Sequence, residues 1–154
     1  MRAAVAIAGL LLLGGCMADT KAPDQPTMYL SMANGGATLD PQAAASIISL
    51  YRQNNGLGTV VVDSDLMKLA EQQSRAMASR NKLDHDVKGP LEKRLGASGY
   101  PATLAEAFSG WRDSPPHKAN MLKNGVTKLG IAAIYAPNTK YKVFWTLILA
   151  STQS

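Results

Sequence analysis

The chain has 154 residues, a net charge of +5 and 46% apolar residues, enough for one hydrophobic core and too little for two domains of ordinary size. Its single cysteine excludes a fold held by internal disulfides. Lysines and arginines are scattered, with no basic run interleaved with aromatics, so nothing points to nucleic acid.

Residues 1–15 read as an export signal: Arg2 and the amino terminus supply positive charge, and Ala3 to Leu13 an apolar run too short for a lone bilayer span, which needs about 20 residues. The segment closes on Leu13-Gly14-Gly15-Cys16, which resembles a bacterial lipobox. That resemblance implies lipidation of Cys16 and a domain anchored at the periplasmic face of the outer membrane, with Met17 giving no inner-membrane retention signal. The alternative is an ordinary cleaved signal and a secreted protein. Residues 16–38, with Lys21-Ala22-Pro23-Asp24-Gln25-Pro26 and Ala33-Asn34-Gly35-Gly36 as breakers, read as a flexible tether. The folded domain is expected over 39–151.

Asp40-Pro41 predicts an N-cap and a first helix to about Asn54, with Ile47, Ile48, Leu50 and Tyr51 as its apolar face. The β-branched run Thr59 to Val62 follows. Asp63-Ser64 then caps a helix to about Asn81, along which Leu66, Leu69, Ala70, Gln73, Ala76 and Met77 recur at helical spacing. A short helix is expected from Pro90 to Ala97, a loop at Ser98-Gly99-Tyr100-Pro101, and a helix from Leu104 to Trp111. Two extended runs, Leu129 to Tyr135 and Tyr141 to Leu149, predict an antiparallel hairpin. Their nearly continuous apolar character implies helices on both faces, an α/β layered sandwich in which helices precede the sheet.

The stretch Trp111 to Leu122 carries the candidate chemistry. Ser114 reads as an N-cap and Pro115-Pro116 as the first helical turn, the helix closing at Asn124-Gly125 with Lys123 in its last turn. His117 falls near the positive helix end, which favours a neutral imidazole able to bind metal. Histidines in such places more often cap or pack. Here scarcity singles it out, because His85 is the only other histidine, in Leu83-Asp84-His85-Asp86.

In this order, Tyr51-Arg52-Gln53-Asn54, Asp65-Leu66, Ala76-Met77-Ala78, Leu83-Asp84-His85, Trp111 to Leu122 and Leu129-Gly130-Ile131-Ala132 resemble the CAP superfamily of cysteine-rich secretory proteins, antigen 5 and pathogenesis-related proteins, in its bacterial SCP-like branch. The resemblance implies an α-β-α sandwich and a cleft with two histidines, matched by His85 and His117, able in some members to hold a divalent metal. It leaves Trp111, Ser114, Pro115 and Asn120 as structural positions of the motif. The family's Ala-Glu-Asn stretch has no counterpart between Pro101 and Leu104. Either Glu106 stands in for its cleft glutamate, or Glu106 is the ordinary helix glutamate before the tryptophan; the uninterrupted helical pattern of 104–111 favours the second.

Zinc sites need three or four protein ligands. Two histidines hold zinc or another divalent cation only weakly unless Glu106, Asp84 or Asp86 contributes, and solvated loop acids are the ordinary reading of both aspartates. Three functional readings compete. The first is a non-enzymatic envelope module binding a lipid, an envelope polymer or a protein; the second is a metal-dependent hydrolase using His85 and His117; the third is a shortened relative with a compromised site. The missing acid favours the first, so an enzyme is not the preferred reading.

Overall fold

The computed structural model describes residues 25–84, 97–99 and 101–151. Helices α1 (Pro41–Gln53), α2 (Ser64–Arg80), α3 (Leu104–Asp113) and α4 (Pro115–Met121) accompany strands β1 (Val61–Val62), β2 (Ala97–Gly99), β3 (Val126–Ala136) and β4 (Lys142–Ser151). The strand order in the sheet is β1-β3-β4-β2, with β1 parallel to β3 and the other pairs antiparallel.

Local chemistry sets the helix starts as the sequence suggests. Asp40 Oδ1 accepts from the amides of Gln42 and Ala43 and Pro41 begins α1, while Asp63 Oδ1 accepts from Asp65 and Leu66 at the start of α2. Asn81 closes α2 in a left-handed conformation.

Side-chain alternation distributes the strand residues between two helical layers. Ala132, Ile148 and Ala150 pack with Leu66 and Ala70 of α2. Leu129, Ile131, Val143, Trp145, Leu147 and Leu149 face the opposite layer, where Ile48, Phe108, Trp111 and Met121 of α1, α3 and α4 complete the main core. This explains the nearly unbroken apolar strands: both faces are covered. The α2 layer sits unusually close, because a Cβ on Gly130 would overlap the backbone of Leu66. Across it, the Ser74 hydroxyl donates to Thr146 Oγ1 at 2.7 Å, a buried pair that joins α2 to β4.

Several expectations are corrected. Leu50 is 58% exposed and lies outside the buried face of α1, where Ile48 is buried, Ile47 and Tyr51 pack against the core, and Ala44, Ala45 and Arg52 are buried as well. Ser98 and Gly99 form strand β2, pairing with Trp145 and Phe144, where a loop is expected. Pairing along β4 overrides the weak local preference of a Ser-Gly sequence. Ala97 belongs to the same strand, and the remainder of the helix expected after Pro90 lies outside the described residues. Helix α4 ends at Met121 with Leu122 as its C-cap, three residues before the Asn124-Gly125 signal, and Lys118 is the basic residue of its last turn. Gly125, with φ of 77°, instead turns the chain into β3.

The signal segment and Cys16 lie outside the described residues. Where it is described, from Gln25 onward, the expected tether lies against the domain: Thr27–Tyr29 form a 3-10 turn, Met32 is buried, and its amide donates to Ala102 O at 2.6 Å. Thr27 Oγ1 also donates to Asp40 Oδ2 at 2.8 Å. Among the described residues, no helix is long and apolar enough to cross a membrane.

Candidate functional site

The corner that carries His117 is assembled from three directions. Trp111 at the end of α3 is buried and meets Trp145 edge-to-face, with ring centroids 6.5 Å apart, which fixes where α4 begins. Met121, at the other end of α4, is fully buried. Beneath it, Arg52 reaches from α1 and donates to four carbonyls: Gly58 O at 2.8 Å, Met121 O at 2.7 Å, Lys123 O at 3.0 Å and Val126 O at 3.0 Å. Burial pushes the guanidinium pKa down. The carbonyls of the α4 C-terminal turn still suit a cation there.

Sequence reasoning places Arg52 in a motif without showing this role. Its signal is nonetheless in the sequence: Ala44, Ile48 and Arg52 stand at i, i+4, i+8, so the arginine continues the buried stripe of α1.

Ser114 occupies the N-cap position of α4 and Pro115 its first position, but the serine hydroxyl makes no cap bond to the helix backbone. It pairs with His117 Nδ1 at 2.8 Å. Either tautomer satisfies this contact: the hydroxyl donates to a bare Nδ1, or a protonated Nδ1 donates to the hydroxyl oxygen. The contact orients a half-buried ring. Asn120 is half-buried on the same helix.

Glu106 has a different task. Its Oε2 accepts from the amides of Ala102, at 2.7 Å, and Thr103, at 3.1 Å, while Thr103 Oγ1 accepts from the Glu106 amide at 3.2 Å. This reciprocal arrangement is a capping box that starts α3. The glutamate is exposed and lines a cavity of about 760 Å³ together with Tyr29, Phe108 and Arg112; His117 is not among the lining residues.

His85 and Asp86 lie outside the described residues. The chain leading to them is held by α2, since Gln73 Nε2 donates to Asp84 O at 2.9 Å and the Asp84 amide meets Met77 Sδ at 3.3 Å. The Asp84 carboxylate lies 3.7 Å from the Arg80 guanidinium. Asp113, beside Ser114, accepts from Arg112 at 2.8 Å, and this bond holds its carboxyl below the usual carboxylate range. Among the described residues, no three histidine, cysteine, aspartate or glutamate side chains gather as a metal-ligand set.

The fold has counterparts among known proteins. Residues 46–149 match the family model for the cysteine-rich secretory protein family, CAP. The chain belongs to the CAP family. An outer surface protein of Borrelia burgdorferi shares its fold with a TM-score of 0.58 at 17% identity, over 73% of this chain and 92% of that one. An extracellular SCP-domain protein of Bacillus anthracis gives a TM-score of 0.58 at 20% identity, over 72% of this chain. The CAP chain described here covers only 40% of that longer protein. A comparison with curated proteins gave no match. The fold is thus the α-β-α sandwich of the CAP family, with α2 on one face of the sheet and α1, α3 and α4 on the other.

Proposed function

We propose that this CAP domain is exported, held at the cell envelope by a lipid on Cys16, and works as a non-enzymatic binding module. The observation that carries the reading is the position of the Glu106 carboxylate, which closes the N-terminus of α3 as half of a capping box. A metal-dependent hydrolase needs a base within reach of a bound water. Glu106 instead closes a capping box at the start of α3.

The envelope location is supported by the lipobox-like Leu13-Gly14-Gly15-Cys16 and by the outer-surface and extracellular descriptions of the two structural relatives. The ligand classes that suit a module at that location are a lipid, an envelope polymer or a protein.

Zinc titration by calorimetry tests the non-enzymatic part, using the mature protein with His85→Ala, His117→Ala and Glu106→Ala alongside. The expected result is no binding in the micromolar range in a protein that melts cooperatively. Micromolar binding lost in all three variants would overturn the reading in favour of a metal site.

A further inference from the structure

One side of the domain is left apolar and open where the chain enters it. Pro26, Thr27 and Met28 face Ala43, Ile47 and Leu50 of α1 across an apolar groove of about 500 Å³. This groove shares Met28 and Ile47 with the larger cavity under Tyr29 and Phe108, so the two form one seam between the entering chain, α1 and α3. Tyr29 is 49% exposed and Leu50 58%, and Leu30, next in the chain, is 41% exposed. With Val61 they are the large apolar side chains most exposed among the described residues. An apolar patch gathered in one place marks an interaction surface, whereas scattered residues would not.

The position of the seam says what covers it. Gln25, the first described residue, lines the larger cavity, and only residues 17–24 separate it from Cys16. Eight residues reach at most about 28 Å when fully extended. The chain beyond them is not loose, because Thr27 is tied to Asp40 and Met32 to Ala102. A lipid on Cys16 therefore keeps this face, more than any other, at high effective concentration over the bilayer. No comparable constraint presents a second copy to it.

We infer that Met28, Tyr29, Ile47 and Leu50 form a membrane-resting face, which settles into the interfacial layer of the same bilayer that holds the Cys16 lipid. The inference rests on the lipid-anchor reading above. A tyrosine beside aliphatic side chains suits that layer, with its ring at headgroup level. The shallow apolar contact acts as the second signal that strengthens a covalent lipid. It also fixes orientation: α2, on the opposite side of the sheet, is turned away from the membrane.

The test uses the full chain, exported and lipidated, reconstituted into vesicles of phosphatidylethanolamine and phosphatidylglycerol. Leu50→Cys and Glu71→Cys are labelled separately with nitrobenzoxadiazole, the Cys16 thiol being already alkylated. Position 50 should shift to the blue and be quenched by doxyl-labelled lipid at least about twofold more than position 71 on α2. Leu50→Glu should retain the wild-type melt while lowering doxyl-lipid quenching of a label at Tyr29→Cys. Flotation with the vesicles but equal quenching at both positions would leave the anchor standing and overturn the membrane-resting face. Absence of both flotation and lipid mass on Cys16 would overturn the anchor reading and this inference with it. Protection of position 50 that follows protein concentration without vesicles would assign the seam to a second copy and contradict the inference.

Discussion

The two faces of the sheet are covered in different ways. On the α2 side, contact is so close that Gly130 has no room for a Cβ, and the polar pair Ser74–Thr146 is sealed inside. On the α1–α3 side, Tyr51 and Phe108 meet edge-to-face at 5.6 Å, yet the helices and the entering chain leave an open apolar seam above them. Both layers bury strand side chains from the same two strands. The α2 side keeps a smaller opening, of about 400 Å³, between Met67 and Glu71 of α2 and Ile131 of β3. The His117 corner lies at the end of the α1–α3 layer, held by Arg52.

Substitutions that probe this contrast should differ widely in cost. Arg52→Ala strips four carbonyls of their donor and disconnects the α4 turn from α1, so chemical denaturation should register a loss of about 3–5 kcal/mol; a loss below about 1 kcal/mol would show that the corner is held by apolar contacts alone. Gly130→Ala forces α2 off β3 and should cost about 3 kcal/mol, at the upper end of overpacking effects, with the melt as readout. Ser74→Ala leaves the Thr146 hydroxyl buried without its partner and should cost about 1–3 kcal/mol, much of it restored by adding Thr146→Val. Glu106→Ala removes the capping carboxylate for about 1 kcal/mol. Leu50→Glu, on the open seam, should change stability by less than about 0.5 kcal/mol.

Asp63 supplies a pH test of the closed face. Its hydrogen bond from Lys128, at 2.9 Å, and the amide of Leu66 hold its carboxyl below the usual range. A carboxyl depressed in the folded state stabilises the protein above its unfolded pKa, and that contribution disappears as pH falls through the lower folded value. Stability of the wild type should therefore decline on acidification through this window. Asp63→Asn should flatten that part of the profile, as read from urea midpoints at successive pH values; an unchanged slope would remove Asp63 from the list of groups that stabilise this face.

Much of the scaffold is legible in the sequence because it rests on local signals. Asp40-Pro41 and Asp63-Ser64 mark helix starts by chemistry confined to a few residues, and the two apolar runs after Gly125 can hardly be anything but paired strands. What escapes depends on distant partners. Ser98-Gly99 becomes a strand only because β4 offers it a ladder, and Leu50 faces solvent because the entering chain, rather than the sheet, lies beside it. At Ser114 the expected position holds and the expected bond does not: the hydroxyl pairs with the imidazole three residues on instead of the helix backbone. For Glu106, a gap in the motif raises the question, and the reciprocal bonds with Thr103 are those of a helix cap. Gly130 reads as part of a family strand, and the reason for it, contact with Leu66, lies in another element.

The most direct test asks whether Glu106 serves the helix or a metal. Thermal melts of the wild type, Glu106→Ala and His117→Ala, each with and without zinc, would read both roles at once. If the carboxylate serves the helix, Glu106→Ala lowers Tm by the same amount in either condition and zinc leaves the wild-type Tm unchanged. A zinc-dependent rise in the wild-type Tm that vanishes in both variants would contradict that role and restore the metal site.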